Sequence, residues 1–329
     1  MNMILSFGPK TIRTSTCAAA ALIACSLPQD AVAQDYPEDD IIFIVPYNPG
    51  GSSDILAREY TQLLSEKLGV NVVVQNVSGG SGTIGTVELF GAEPDGYTIG
   101  YGHNSPLAIQ PHRNADLPYS GIDDFTPIGG IGAQAGTVSV NSASDYQTFA
   151  DLVAAAEAAP ETISIAVGSA GNVKDMQLQQ VEKAAGVEFN IVPSSGGGSE
   201  AVASVLGRIV DAVSVNASSV AGQIASGDLR PIAIFAKSPR DEVAGFEVIN
   251  SDDYPGLVIL QDTSGIIAPA GLPDEVLTVL SDAHQEIMQD EGFLESLEES
   301  VYIIDPADPE TYKAQLMEDY ENFGAILGQ

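Results

Sequence analysis

From residue 41 onward the chain alternates short apolar runs with stretches of helical periodicity, and glycine-rich turns separate the two. Ile41 to Pro46, Val70 to Asn76, Ile163 to Val167 and Phe189 to Pro193 are rich in β-branched residues and carry no charge, so each reads as a buried strand. Each is followed by a turn: Tyr47-Asn48-Pro49-Gly50-Gly51-Ser52-Ser53-Asp54, Ser78-Gly79-Gly80-Ser81-Gly82, Gly168-Ser169-Ala170-Gly171-Asn172 and Ser194-Ser195-Gly196-Gly197-Gly198-Ser199. A helical pattern comes next in every case. Gly50 and Gly79 are 29 positions apart, and Gly168 and Gly196 are 28 apart. Paired strand-turn-helix units in each half predict two α/β domains facing each other across a cleft.

The remaining elements fill in around these units. Ser52 or Ser53 caps a helix over Asp54–Leu68, where Ile55, Leu56, Leu63, Leu64 and Leu68 recur at helical spacing before Gly69. A helix is predicted from Thr83 to Gly91, and Tyr97 to Tyr101 reads as a strand after the turn Pro94-Asp95-Gly96. Ser105 to Pro127 reads as irregular. Gly136 to Val140 is the next predicted strand, and Thr148 with Asp151 forms a capping box for an alanine-rich helix that Pro160 closes. Helices follow at Val173–Ala185, Glu200–Leu206 and Ser219–Ser226, with strands at Ile209–Val215 and Pro231–Ala236. Beyond Asp241 a loop-rich stretch precedes a strand at Ser264–Ala268, and helices at Pro273–Gln289, Glu291–Glu299 and Pro309–Leu327 complete the chain. Such alternation predicts parallel or mixed sheets covered by helices on both faces. No low-complexity linker divides the halves, so the chain is expected to cross between domains on strands and then return.

Residues 1–33 read as a signal peptide: Lys10 and Arg13 precede the apolar run Thr16–Leu27, and Ala31-Val32-Ala33 is a small-x-small cleavage pattern. Leu22-Ile23-Ala24-Cys25 offers a second reading, a lipoprotein box with Cys25 as the lipidated terminus. Either places the protein outside the cytoplasm. Cys17 and Cys25 both fall in this leader, so disulfide and thiolate chemistry are not expected in the mature chain. The net charge of −33, from 45 acidic and 12 basic residues, makes nucleic acid and anionic membranes poor partners. A hypersaline habitat and an acidic extracellular protein both account for that excess.

Glycine turns at strand carboxyl ends place unpaired N–H groups and helix dipoles at one spot, which favours an anion. Gly80-Ser81-Gly82-Thr83-Ile84-Gly85 spells GxGxxG, but a dinucleotide site calls for an acidic residue at a strand end about 20 positions on. His103 and Asn104 stand there instead. No Walker A, GxSxG, HExxH or EF-hand pattern occurs, so neither a catalytic set nor a metal or cofactor is expected. Of the histidines, His284 is expected at the surface of its helix, while His103 either reaches the cleft or bonds its own loop. Lys174, in the first turn of a helix where a cation opposes the dipole, either meets a bound anion or is a solvated partner of Asp175. Asp54 and Asp175 have an ordinary explanation as favourable charges at helix starts. Charge-assisted hydrogen bonds contribute roughly 1.5–3 kcal/mol each, so three or four reach the ~8 kcal/mol of a micromolar complex despite the acidic surface.

Across these motifs the chain resembles the extracytoplasmic solute-binding proteins of tripartite tricarboxylate transporters, the Bug or TctC type. The resemblance runs through Ile44–Asp54, Val73–Gly85, Pro94–Thr98, Gly168–Gly171, Gly196–Gly198, Val210-Asp211, Gly227–Arg230 and Ala268–Pro273 in family order. It implies a two-domain periplasmic-binding-protein fold, type II-like, with residues 35–136 and 263–329 in one domain and 137–262 in the other. Also implied are a small organic anion as ligand, a di- or tricarboxylate, and the permease subunits of a membrane transporter as partners, with the receptor itself a monomer. Carried over by motif, Tyr47, Asn48, Gly51, Ser52, Asp54 and Ser78, Gly79, Gly80, Ser81 and Gly82 form one wall, with His103 and Asn104 near it. Ser169, Ala170, Gly171, Asn172, Ser194, Ser195, Gly196 and Gly197 form the other, and Asn216 contributes from a strand end; Lys174, read from its place in the helix and not from the family motif, is a further candidate on that wall. The family often has Ser and His after its third glycine loop, where this chain has Val173-Lys174-Asp175, and an aromatic and a lysine before its fourth, where Ser194 and Ser195 stand. A sensory co-receptor and a secreted enzyme acting on carboxylates are the alternative functions.

Overall fold

The structure, a computed structural model, describes residues 36–195, 197–237, 242–243 and 245–328. The expected leader with Cys17 and Cys25, and Gly196 of the fourth glycine turn, lie outside the described residues.

Two mixed sheets organise the chain. The first is built from β1 (Ile41–Val45), β2 (Val72–Asn76), β3 (Thr98–His103), β4 (Phe125–Ala135), and two strands from late in the chain, β12 (Gln261–Pro269) and β13 (Tyr302–Ala307). Their order is β13-β4-β12-β3-β1-β2. The strand β1 is parallel to β2 and β3, with Ile41 opposite Val72 and Ile42 opposite Thr98, whereas β12 runs antiparallel to both β3 and β4. The second sheet contains β5 (Thr137–Asn141), β6 (Ser164–Val167), β7 (Asn190–Pro193), β8 (Ala212–Val215), β9 (Leu229–Phe235), β10 (Glu242–Val243) and β11 (Phe246–Ile249), in the order β10-β11-β9-β5-β8-β6-β7. Only Gly136 separates β4 from β5, so the chain passes from one sheet to the other in a single residue. Its return lies between Ile249 and Gln261, and the Thr263–Gly265 stretch sits inside β12, paired with β4.

Period-two alternation explains how the first sheet is covered on both faces. Ile41, Phe43 and Val45 of β1 pack beneath α1 (Ser52–Leu68), through Leu56, Tyr60 and Leu64, while Ile44 faces the opposite layer with Leu89 and Tyr312. Helices α8 (Asp274–Ile287) and α9 (Glu291–Glu299) join α1 on the first side; α2 (Thr83–Phe90) and α10 (Pro309–Leu327) cover the second. Between α2 and β4 lie a π-type turn at Ser105–Ile109 and the short α3 (Gln110–Arg113). In the second sheet α4 (Phe149–Ala158) and α5 (Val173–Ala185) lie on one face, where Phe149, Leu152, Leu178 and Val181 meet Val138, Ile165 and Phe235. On the other, α6 (Gly198–Leu206) and the segment leading into α7 (Ala221–Ala225) pack Val202, Val205 and Val220 against Val213 and Ile234. The Thr148 side chain accepts from Asp151 N–H and Asp151 accepts in return, the capping box expected at the start of α4.

Besides β10 and β11, which lie in the stretch read as loop-rich, β4 and β13 depart from the sequence expectation. The glycine-rich β4 was expected to be irregular or unassigned, because glycine weakens a strand unless another group needs the space. Here two buried side chains need it: a Cβ at Gly129 would lie 2.2 Å from His284 Cδ2, and one at Gly130 would lie 3.1 Å from Tyr312 Cδ2. Pro306 hides β13 from a strand reading, but β13 is an edge strand, where proline is tolerated. His284 is corrected from surface to core: it is 1% exposed, its Nδ1 lies 3.0 Å from the Tyr60 hydroxyl and its Nε2 lies 3.1 Å from the Gly130 carbonyl oxygen. Its helix presents the histidine edge-on to β4, and burial lowers its pKa to about 4. Gly129→Ala is therefore expected to lose about 1–3 kcal/mol by overpacking against the ring, read as a lower urea midpoint at unchanged m-value.

Candidate functional site

A cavity of about 60 Å³ lies where the carboxyl ends of both sets of strands meet. Its first wall comes from the β1–α1 turn, with Tyr47, Asn48, Gly51, Ser52 and Ser53, and from His103 at the end of β3 and Asp262 on β12. The opposite wall is formed by Gly168, Ser169, Asn172 and Lys174 of the β6–α5 turn, Gly197 and Gly198 at the start of α6, and Ser214, Val215, Asn216 and Ser219 around the end of β8.

The helices α1, α5 and α6 all begin on this cavity. At α1 and α6 the cap residues are Gly51 and Gly197, and neither start has a side-chain cap. First-turn N–H groups lack intrahelical partners, so at these two starts they remain available to an acceptor in the cavity. At α5 the cap is Asn172, whose side chain accepts from the Asp175 N–H at 2.9 Å.

Cross-wall bonds close the cavity around this set. Asn216 Nδ2 donates to Ser52 Oγ at 2.9 Å, Ser81 Oγ donates to the Ala170 carbonyl at 2.5 Å, and Gln110 Nε2 donates to the Gly171 carbonyl at 3.1 Å. Deeper, Lys174 forms an ion pair with Asp262 Oδ2, and the other Asp262 oxygen lies 3.4 Å from His103 Nε2. The Ser105 N–H points at His103 Nδ1 from 3.2 Å, and the Tyr47 hydroxyl lies 3.1 Å from the same nitrogen. With Nδ1 accepting, the neutral ring carries its proton on Nε2, directed at Asp262. Burial, then the nearby Lys174 charge, lowers the His103 pKa to about 3. Burial also pulls the Lys174 ammonium well below its usual range and pushes the Tyr47 hydroxyl well above its own.

The structure brings Tyr47, Asn48, Gly51, Ser52, His103, Ser169, Asn172, Lys174, Gly197 and Asn216 together on the cavity wall. Other expected residues are placed outside the lining. Asp54 accepts from the Gly50 N–H, Arg58 and Asn76. Burial would raise its carboxyl, but those hydrogen bonds outweigh it and hold it below the usual range. The Ser78–Gly82 loop, with Gly79, Gly80 and Ser81, sits behind the wall: Gly82 backs onto Tyr47, whose hydroxyl is 3.0 Å from the position of an added Cβ. Ala170 and Gly171 use their carbonyls in the cross-wall bonds above, Asn104 donates to Asp319 and the Gln261 carbonyl, and Ser195 binds Glu200. Ser194 N–H is bonded to the Val167 carbonyl.

Sequence reasoning passed over Ser53, Gly168 and Gly198, which belong to turns it had singled out, and Ser214, which shares a face with Asn216 by the strand period of two. Asp262 carried no signal, since nothing near it in the chain marks the strand as part of a site. Among the described residues no group of His, Cys, Asp and Glu is arranged to hold a metal ion, and no helix is long and apolar enough to cross a membrane.

Residues 56–326 match the profile of the tripartite tricarboxylate transporter family receptor, TctC. The chain belongs to this family. Protein BugT of Bordetella pertussis is 29% identical over 80% of this chain and 81% of its own length. A solved periplasmic transporter superposes with a TM-score of 0.83 at 30% identity, covering 89% of this chain and 98% of that one. The R. palustris protein Rpa4515, solved with adipate, has the same fold, with a TM-score of 0.83 at 23% identity over 89% of this chain and 99% of its own. TctC members are solute-binding receptors rather than enzymes, which removes the enzymatic alternative.

Because the folded protein resists protonating His103 until about pH 3 while the unfolded chain titrates near 6.5, this group's contribution to stability is complete above pH 6.5 and is lost as the pH falls through that window. Urea midpoints across pH should therefore fall less steeply between pH 6.5 and 4 for His103→Gln than for wild type.

Proposed function

We propose that this TctC receptor captures a small organic carboxylate between its two lobes in the periplasm and presents it to the permease subunits of a tripartite tricarboxylate-type transporter. The observation that carries the reading is the convergence of α1, α5 and α6 on one cavity, with glycine caps and no side-chain acceptor at α1 and α6. Neutral donors of this kind hold a carboxylate without a dedicated arginine. Ser52, Ser53, Ser169 and Ser219 add hydroxyls on the same surface. Adipate in Rpa4515 is an instance of a carboxylate in this fold.

Division of labour between the lobes follows from the sheets. Residues up to Ala135 and from Gln261 onward, which share the first sheet, act as one body and 137–249, which hold the second sheet, as the other. Hinge motion is taken up at Gly136 and in the 250–260 connection, the points where the chain passes between sheets. An N-terminal signal peptide exports the chain, and mass action on the lobes couples ligand capture to closure.

Isothermal titration with a panel of mono-, di- and tricarboxylates checks the function. At least one should bind with saturable heat and remain chemically unaltered. Failure of every carboxylate at millimolar concentration refutes the receptor reading. Ser169→Phe, which puts an aromatic ring into the cavity, should weaken that binding by at least about tenfold, or ~1.4 kcal/mol, while the far-ultraviolet circular dichroism stays that of wild type.

A further inference from the structure

Asp262 is the acidic side chain on the cavity wall, and Lys174 is the cation there. Both are enclosed, with side chains 4% and 6% exposed. Their ion pair means that the charge best placed to meet a second ligand carboxylate already has a partner, and that partner is fixed in the protein. His103 Nε2–H, at 3.4 Å, faces the same carboxylate and is likewise turned away from an incoming anion. A second ligand carboxylate would then stand beside Asp262 with no free cation, and like charges within about 4–6 Å disfavour each other strongly when buried. Helix starts do not make up the difference. Each carries roughly half a positive charge, and Asp54, Asp175 and Glu200 already stand in the first turns of α1, α5 and α6.

Unmet hydrogen bonds point the same way. The space open to water-sized groups is small, about 60 Å³, with the walls as they stand. Ser214 Oγ and Asn216 Oδ1 are buried there without a hydrogen-bond partner among the described residues. Buried polar atoms of this kind are rare and call for an occupant. They lie two positions apart at the end of β8, on one face. A ligand hydroxyl can donate to Asn216 Oδ1 and accept from Ser214 Oγ.

Resting on the receptor reading above, we propose that the selected ligand is a small 2-hydroxy monocarboxylate, and that Asp262, by occupying Lys174, is the residue that excludes di- and tricarboxylates. The narrower class replaces the di- or tricarboxylate that the family resemblance implies. Lactate and malate form a matched test pair, since malate adds one carboxylate to the same hydroxy acid, and propionate is lactate without its hydroxyl. Calorimetry on the wild-type protein should give lactate at least about tenfold tighter than both malate and propionate. In Asp262→Asn the lactate-to-malate ratio should fall by at least about tenfold as Lys174 is released to the second carboxylate. Malate or citrate binding as tightly as lactate to wild type overturns the exclusion; propionate equal to lactate overturns the hydroxyl contact. Should Asp262→Asn not fold, the wild-type ratios decide alone. Binding of dicarboxylates only would sink this proposal and leave the receptor reading standing, whereas silence from every carboxylate would sink the receptor reading itself.

Discussion

Backbone N–H groups in the first turn of a helix have no partner inside the helix, and the architecture depends on where those groups are sent. At α4, α5, α9 and α10 a side chain of Thr148, Asn172, Asp290 or Asp308 satisfies one of them. At α1 and α6 no side chain does, and glycine stands at the cap. α2 and α8 also begin without a side-chain cap, at Gly82 and Pro273, but the starts of α1 and α6 open onto the same cavity. A helix start buried without an acceptor is costly, so the fold carries a standing demand for one at this spot. Parallel β1 and β2, and parallel β6 and β7, are the reason two such starts can meet: each strand ends at the same edge of its sheet, and the two edges face one another.

Against that polar surface the ion pair of Lys174 and Asp262 is the one arrangement of full charge inside the cavity. Taking both groups out of water is expensive, and removing either alone would strand the other at a cost of about 3–5 kcal/mol. A pair so placed adds little net stability compared with apolar residues of the same volume. What it contributes is definition. Lys174 starts α5 on the second sheet's side, Asp262 lies on β12 of the first, and His103 links them to Tyr47 in the β1–α1 turn. Charge and hydrogen-bond direction along that chain fix which groups face the ligand and which are already occupied.

The strand-turn-helix units were legible because three local signals agree in each: a short apolar run, glycine and small hydroxyl residues, and a helical period after them. Thr148 and Asp151 announced α4 in the same way. Elements whose residues serve a partner distant in sequence were not legible. Gly129 and Gly130 look like breakers until His284 and Tyr312, which come from α8 and α10, are seen to fill the space above them. His284 itself reads as a polar residue on an amphipathic helix, and its burial depends on Tyr60 from α1, 224 positions away. At the site the same limit applies to Asp262. Its chemistry is set wholly by Lys174 and His103, and neither is near it in sequence. The Ser78–Gly82 loop shows the converse: it carries the signal of a glycine turn, but Gly82 supports Tyr47 from behind instead of lining the cavity.

How tightly such a receptor holds its ligand depends as well on what the lobes gain from each other without it. Ala108 and Ile109 on one side and Val173 and Met176 on the other are buried together with Leu260 and Phe323. Val173 and Met176 belong to the first turn of α5, beside Lys174, so the apolar cluster and the ion pair are carried by the same turn of helix. The Ser52–Asn216 and Ser81–Ala170 bonds join the same two walls that this apolar cluster joins. Each of these contacts favours the conformation in which the wall is complete, with or without an occupant. Where only a fraction of molecules is competent to bind, apparent affinity is the intrinsic affinity scaled by that fraction, so contacts that join the walls bear on the strength of capture and the groups facing the ligand bear on its selectivity. Substitutions in the two regions are thus separable in principle: changes to Val173 or Met176 act on all ligands alike, and changes to Asp262 act on the difference between them.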